Sequence, residues 1–300
     1  MPKRKRTRLA GETAGSPSAY AVFSAHVHVP AEFNEVARRY QSLLYDLLFK
    51  TSAAATQQLA QDPRFIGGMI GMVGVLHTWG RNLAYHPHIH YLVPAGGLAS
   101  DGNIWLAARH QFLLPVRALS RIFRGKLLNA LRSTACYKSI PTNVWQQEWV
   151  VHCEPVGSGL GALKYLAPYI FRVAISNNRI LNLENDRVTF RYRDTDSGAE
   201  KYCTLDAEDF IHRFLHHVLP KGFVKVRYYV LFSPGKRKTL PALRKKLRDD
   251  AATFLTVTES LEDHSQSTVT GPPTKPRLCP ICGHPMQPGP LLYPSGLSPP

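Results

Sequence analysis

Apolar and polar residues alternate along three segments in the first third of the chain, at residues 20–30, 69–80 and 86–94. An alternation of this kind predicts β-strands, because successive side chains of an extended chain point to opposite faces. A short polar stretch separates the second segment from the third, so we expect these two strands to form a β-hairpin.

Histidines occupy every second position of the third segment, and they therefore share one face of the predicted strand: His86, His88 and His90. The rest of this strand is apolar and suited to burial. An unpaired buried polar group costs free energy, so three neighbouring imidazoles need partners. A metal ion, a phosphate or carboxylates would supply them.

Apolar residues that repeat near every 3.6 positions predict helices at residues 31–61, 116–134 and 161–174. The expected buried face of the first helix consists of Phe33, Val36, Tyr40, Leu43, Leu44 and Leu47. Three later segments complete the prediction: a strand at 142–155, a hairpin at 179–194 and a helix at 200–220. Strands and helices mix without a regular βαβ alternation, so the predicted fold class is α+β with a central antiparallel sheet flanked by helices.

The 300 residues include 37 Lys and Arg against 21 Asp and Glu, a formal net charge of +16. An excess of this size favours a polyanionic partner, with nucleic acid the first candidate. No apolar stretch is long enough for a membrane span, and the basic start lacks the apolar core of a signal peptide. We therefore expect a cytoplasmic protein without a membrane partner. The scattered cysteines Cys136, Cys153 and Cys203 do not resemble a disulfide framework.

Changes in composition predict three regions, which are a basic mobile arm at 1–18, a catalytic domain at 19–235 and a tail at 236–300. The tail combines a basic segment, a linker rich in polar residues and a Cys-x-x-Cys pair formed by Cys279 and Cys282. Such a pair is half of a zinc site, because tetrahedral zinc takes four ligands. We expect zinc there only if further ligands come from elsewhere.

The histidine strand and a tyrosine pair together suggest phosphoryl chemistry. Tyr165 and Tyr169 are four residues apart, which on a helix brings both to one side. A metal ion polarises a scissile phosphate and a tyrosine hydroxyl attacks it to form a covalent phosphotyrosine. His86 and His90 are four residues apart, which on an extended strand separates them by about 13 Å, so they cannot easily bind the same ion. We therefore expect His88 and His90 to form the ligand pair. The third ligand is His77 on the neighbouring strand, or a Gln, Asn or Glu.

Four blocks of sequence resemble the two-tyrosine HUH rolling-circle transposases of bacterial insertion sequences: residues 76–102, 112–128, 165–180 and 210–232. The family's histidine, hydrophobic residue, histidine motif corresponds to His88, Ile89 and His90. Its tyrosine pair corresponds to Tyr165 and Tyr169. The resemblance spans roughly residues 20–235 and implies an HUH nuclease-like fold.

The resemblance further implies a metal-dependent single-strand DNA endonuclease and transesterase that uses Mg²⁺ or Mn²⁺. One tyrosine would cleave the donor strand and leave a 5′-phosphotyrosine, and the other would handle the second strand. The expected partner is single-stranded DNA at element ends, and the expected location is the bacterial nucleoid. Basic residues near the tyrosines are candidates for holding phosphates: Lys164, Arg172 and Arg179.

Two other hypotheses fit parts of the sequence. The histidine spacing at 86–90 also fits a histidine-triad nucleotide hydrolase, in which a histidine is the nucleophile and no metal is needed. The second hypothesis is a transposase remnant that binds DNA without catalysis. Pro168 between the two tyrosines supports it, because proline disturbs a helix interior. The same hypothesis draws on the lack of a cysteine-rich region before Ala21.

Overall fold

The computed structural model describes residues 21–109, 112–158, 174–194 and 197–245, together with Ala162, Lys164, Leu166, Ala167, Ile170 and Leu247. Its helices are α1 (Asn34–Arg39), α2 (Gln41–Ala60), α3 (Val116–Leu131) and α4 (Ala207–Leu215). Its strands are β1 (Ala21–His28), β2 (Gly71–Trp79), β3 (Tyr85–Pro94), β4 (Gly96–Leu98), β5 (Trp105–Ala107), β6 (Val151–Ser158), β7 (Ile180–Glu184), β8 (Arg187–Arg193), β9 (Glu200–Asp206) and β10 (Val226–Val230).

Five of these strands form a central sheet in the order β10-β2-β3-β1-β6, and each neighbouring pair is antiparallel. Two smaller sheets, β4-β5 and β7-β8-β9, accompany it. The predicted α+β class with a central antiparallel sheet is confirmed. The predicted hairpins at β2-β3 and β7-β8 are confirmed as well.

The register of the central sheet aligns histidines from different strands. His26 and His28 of β1 lie opposite His90 and His88 of β3. On the other side of β3, His77 of β2 also lies opposite His88. Residues that face each other across antiparallel strands share a face of the sheet, so these imidazoles meet on one side.

The opposite face of the sheet carries the hydrophobic core. Side chains from β1 and β3 are buried there with residues of α2 and α3, among them Phe23, Val27, Ile89, Tyr91, Phe49 and Phe123. Polar atoms within this core are hydrogen-bonded to each other. The Tyr91 hydroxyl lies 2.7 Å from the Ser52 hydroxyl, and the Tyr45 and Tyr85 hydroxyls are 2.5 Å apart.

Three predicted elements differ from the structure. The helix predicted at 200–220 begins only at Ala207, because residues 200–206 pair with β8 as strand β9. The helix predicted at 31–61 is interrupted at Tyr40, whose backbone leaves the helical region at φ −124° and ψ 43°. The second part is rotated relative to the predicted pattern, so Leu43 is exposed while Leu48 is buried. The strand predicted at 142–155 begins only at Val151, because Trp145 and Trp149 fold over Phe33 with ring centroids 5.6 and 5.5 Å away.

The described residues between 162 and 170 are helical and pack on the face that carries the histidines. Ala162 and Leu166 are buried against Val75 of β2 and Leu92 of β3. Leu92 points to the same side of β3 as His88 and His90, because it is an even number of residues from them. Tyr165, Tyr169 and Arg172 lie outside the described residues.

In the part of the chain that the structure describes, no helix combines the length and apolar character that a bilayer crossing requires.

Candidate metal centre

Four neighbouring strands of the central sheet, β2, β3, β1 and β6, contribute histidines to one face of the sheet. These are His26, His28, His77, His86, His88, His90 and His152. The rings are in contact with one another. His26 and His90 have centroids 4.1 Å apart, and His28 stacks on His88 at 4.6 Å. We call this surface the histidine face.

The first group on the histidine face with a metal-binding geometry consists of His77, His88 and His90. Their ligand atoms all lie within 4.8 Å of one another. The Nδ1 atom of His77 is 3.2 Å from Nε2 of His88. The residues predicted from sequence as ligands, including the third one from the neighbouring strand, are therefore close enough to share one ion.

A second group consists of His28, His86 and His88, again with ligand atoms within 4.8 Å of one another. Here Nδ1 of His28 lies 2.8 Å from Nε2 of His86. The two groups share His88. His86 and His90 fall in different groups, which agrees with the expectation that one ion does not bind both.

The tautomer of His88 follows from its backbone contact. Nδ1 of His88 lies 2.6 Å from the carbonyl oxygen of His86. A carbonyl only accepts, so Nδ1–H donates and the lone pair is on Nε2. A backbone acceptor behind a ligating imidazole is the usual way in which proteins orient such a ligand. Nε2 of His88 is thus the nitrogen that a metal ion can use, and it lies next to Nδ1 of His77 in the first group.

Burial keeps these imidazoles neutral. Desolvation, followed by the neighbouring imidazoles, lowers the pKa of His28 to about 3 and that of His26 to about 4. Desolvation and then the positive charge of Lys225 lower the pKa of His77 to about 3. The pKa values of His88 and His90 are also lowered, again mainly by desolvation. Only neutral imidazole binds a metal, so the face presents ligands in the required state.

The donor set indicates which ions fit. Both groups consist of imidazole nitrogens and contain no carboxylate. Imidazole suits first-row transition ions, whereas Mg²⁺ prefers oxygen ligands and keeps several of its waters. The residues present therefore fit Mn²⁺, or a similar divalent transition ion, better than Mg²⁺.

The other residues predicted for the site divide into two sets. Lys164 is exposed on a helical segment next to the histidine face. Arg179 donates from Nε to the carbonyl of Arg191 at 2.9 Å, and it also donates to the carbonyl of Arg81. Tyr165, Tyr169, Arg172, Cys279 and Cys282 lie outside the described residues. Their nucleophilic, phosphate-binding and zinc-binding roles stay predictions.

Four histidines of the face were absent from the predicted ligand set: His26, His28, His86 and His152. A signal for two of them was present, because residues 26–28 repeat the His-x-His spacing of β3 within a predicted strand. What the spacing alone did not reveal is that β1 pairs with β3, since the paired residues His28 and His88 are 60 positions apart in the chain. For His152 no comparable pattern exists.

Comparison with known proteins identifies the family. Residues 71–239, more than half of the chain, match the family model Y2_Tnp, whose description is "Putative transposase". The chain belongs to this transposase family. The matched range contains β2 and β3, and so the first histidine group lies entirely within it. The family resemblance seen in the sequence blocks is thereby confirmed.

Two curated relatives show how much of a transposase the chain covers. It is 41% identical over 221 residues to "Putative transposase y4qJ" of Sinorhizobium fredii, which covers 67% of this chain and 56% of the relative. It is 28% identical over 205 residues to "Transposase for insertion sequence element IS801" of Pseudomonas savastanoi pv. phaseolicola, covering 63% and 49%. The chain thus spans about half the length of these relatives. No solved structure matches it.

Proposed function

We propose that the protein is a transposase that nicks and rejoins single-stranded DNA at the ends of a mobile element. In this proposal His77, His88 and His90 hold a divalent ion and Tyr165 or Tyr169 is the nucleophile. The observation that carries it is the geometry of the histidine face. Three neutral imidazoles converge there, and the helical residues next in sequence to the tyrosines pack on the same side.

A bound divalent ion would polarise the scissile phosphate and offset the charge that develops on its oxygens. The tyrosine oxygen attacks phosphorus, and the bond from phosphorus to the departing 3′ oxygen breaks. The tyrosine loses its proton and the 3′ oxygen gains one. The product is a 5′-phosphotyrosine that conserves the energy of the broken bond for rejoining.

Cationic side chains support a nucleic acid substrate. The net charge of +16 favours a polyanion. At the histidine face itself, the Nζ atom of Lys225 lies 5.2 Å from the ring centre of Trp79, whose ring centroid is 4.1 Å from that of His77. Burial lowers the pKa of Lys225. A half-buried cation beside metal ligands is suited to contact a phosphate that approaches the ion.

The decisive test is capture of the covalent intermediate. The protein is incubated with single-stranded oligonucleotides from the element ends and Mn²⁺, and protein–DNA adducts are separated on a denaturing gel. We expect the adduct on the new 5′ end that the nick creates, and we favour Tyr165 as the first nucleophile because it precedes Pro168. Tyr165→Phe and Tyr169→Phe each remove only a hydroxyl, so a lost adduct reports chemistry rather than folding.

Peptide mass spectrometry would locate the phosphotyrosine. Strong cleavage with a modified residue at neither tyrosine would contradict the two-tyrosine mechanism. Absence of cleavage with every divalent ion would instead support the hypothesis of an inactive DNA-binding remnant. A basic residue in place of Pro168 is then the rescue to try.

Chelation separates the transposase from the histidine-triad hydrolase hypothesis. A nucleophilic histidine needs no metal, so hydrolysis by that route would survive excess chelator. We expect cleavage to stop on chelation and to return with added Mn²⁺. The match to a transposase family supports this expectation.

A further inference from the structure

We propose that the histidine face is a two-position metal site, in which one divalent ion occupies either of two overlapping groups and never both at once. The first position is formed by His77, His88 and His90, and the second by His28, His86 and His88. This inference rests on the metal role proposed above and adds to it a second location for the ion. The two positions would have different consequences for catalysis.

In both positions, the distance between two ligand nitrogens suits coordination of one ion. Two ligand nitrogens at about 2.1 Å from an ion and at right angles to each other are about 3.0 Å apart. Nδ1 of His28 and Nε2 of His86 are separated by 2.8 Å, and Nδ1 of His77 and Nε2 of His88 by 3.2 Å. An ion replaces the hydrogen bond in either pair, and the ring that donated this bond shifts its proton to its other nitrogen, so that both facing nitrogens present lone pairs.

The shared ligand makes the two positions exclusive. Nδ1–H of His88 donates to the carbonyl of His86, so Nε2 is the nitrogen that remains for coordination. A single lone pair binds one ion. His88 contacts both groups, since its ring lies 4.6 Å from that of His28 and 4.9 Å from that of His77.

Electrostatic repulsion also favours a single bound ion. Neither group includes a carboxylate, so a bound dication keeps its full charge on the histidine face. A second dication beside it would meet strong repulsion in a partly buried region, where the effective dielectric constant is low. We therefore expect one bound ion in the histidine face.

The two positions differ in their distance from the tyrosine segment. The helical residues Ala162 and Leu166 pack against Leu92, which is two residues from His90 along β3. His86 is six residues from Leu92, about 20 Å along an extended strand. An ion in either position binds His88 at about 2.1 Å, so the two positions lie within about 4 Å of each other. The first position is nearer this segment and the second is farther from it.

The test measures Mn²⁺ binding by electron paramagnetic resonance, in which free Mn²⁺ gives a signal that is lost on binding. Mn²⁺ is chosen because thiolates select softer ions, so the cysteine pair in the tail does not interfere. The variants, all in the full chain, each remove two histidines of one position and retain His88. The first is His77→Ala/His90→Ala, and the second is His28→Ala/His86→Ala.

We expect one Mn²⁺ per chain for the unmodified protein and one for each double variant, with affinities within about tenfold of each other. His88→Ala should weaken binding more than either double variant, because it removes a ligand from both positions. The matched control is His26→Ala/His152→Ala, which removes two histidines of the same face outside both groups and should bind as the unmodified protein does. Circular dichroism verifies that each variant is folded, and the corresponding Gln substitutions replace any that is not.

Each outcome decides between the two proposals. Loss of Mn²⁺ binding in His77→Ala/His90→Ala would overturn the second position and leave the proposed function intact. Two ions bound to the histidine face of the unmodified protein would overturn the exclusivity. No Mn²⁺ binding to the unmodified protein at millimolar concentration would instead overturn the metal role on which both proposals rest.

Discussion

Along β3, the two faces of the central sheet are similarly buried and chemically opposite. Along β3, Ile89 and Tyr91 are 1% and 0% exposed on one face, while His88 and His90 are 6% and 4% exposed on the other. The first pair packs in the hydrophobic core under α2 and α3. The second pair contacts imidazoles of β1 and β2. Burial alone therefore does not distinguish core from site.

What separates the faces is the kind of partner each provides. Burial of apolar groups on the core face stabilises the fold. On the histidine face the same burial opposes protonation and leaves neutral nitrogens close together, an arrangement that favours a ligand more than it favours the fold. Substitutions on the core face should therefore reduce mainly stability, and substitutions on the histidine face should reduce mainly activity.

The largest expected effect is on catalysis. Replacement of His88 and His90 together by alanine should reduce strand cleavage by at least about 10⁴-fold, equivalent to about 5.5 kcal/mol in activation free energy. DNA binding, measured by gel shift, should change little, because it depends on charge distributed over many Lys and Arg side chains. The control His152→Ala alters an exposed histidine of the same face outside both groups. Cleavage at the unmodified rate by the double variant would show that the metal assignment is wrong.

Acid should destabilise the histidine face selectively. The pKa values of His26, His28 and His77 are lowered by burial to about 4, 3 and 3, whereas in the unfolded chain they are near 6.5. As pH falls below 6.5 the unfolded state takes up protons that the folded state does not, so stability is present above 6.5 and declines toward pH 3. Each such histidine contributes a loss of about 1 kcal/mol between pH 6.5 and 5.5, or about 3 kcal/mol for three.

Urea unfolding of the metal-free protein at pH 7.5, 6.5 and 5.5 measures this decline. A His26→Gln variant, which removes one of the three groups, should show a smaller loss than the unmodified protein over the same range. Equal stability at the three pH values would contradict the idea that the face is held neutral by burial.

A core substitution one residue away from a metal ligand should act on stability instead. Ile89→Ala removes a buried side chain between His88 and His90 and should lower the free energy of unfolding by about 2–5 kcal/mol. Urea unfolding measures this loss, and Mn²⁺ binding should remain in the folded fraction. Leu183→Ala, at a side chain that is 66% exposed in β7, is the control and should cost under about 0.5 kcal/mol. A change in metal affinity without a loss of stability in Ile89→Ala would contradict the division between the faces.

The smallest expected effect concerns a polar pair on the core face. Tyr45→Phe removes one of the two hydroxyls that pair between α2 and β3, and it should cost about 1 kcal/mol. Strand cleavage should be unaffected, since the pair lies on the side of the sheet away from the histidines. A cleavage defect larger than the loss of folded protein would show that the two faces are coupled.

Local pattern predicted much of this arrangement. The alternation along 86–94 placed His88 and His90 on one face of a strand, and the short separation from 69–80 predicted the β2-β3 hairpin that aligns His77 with His88. Both are determined locally, because side-chain period and turn length depend on neighbouring residues. The mixed order of strands and helices likewise indicated the α+β class. The interruption at Tyr40 was missed, since the helical period of the flanking residues continues through it.

The composition of the full histidine face was decided by tertiary structure. Sequence alone determined that β1 carries His26 and His28 on one face, but period two does not say which strand lies beside it. Pairing of β1 with β3 and β6 is non-local, and it is selected by the core that Phe23, Val27 and Ile89 form on the opposite side of the sheet. A register shifted by one residue would turn the histidines of β1 into that core, where burial of polar groups is costly. The packing of one face therefore fixed which imidazoles meet on the other.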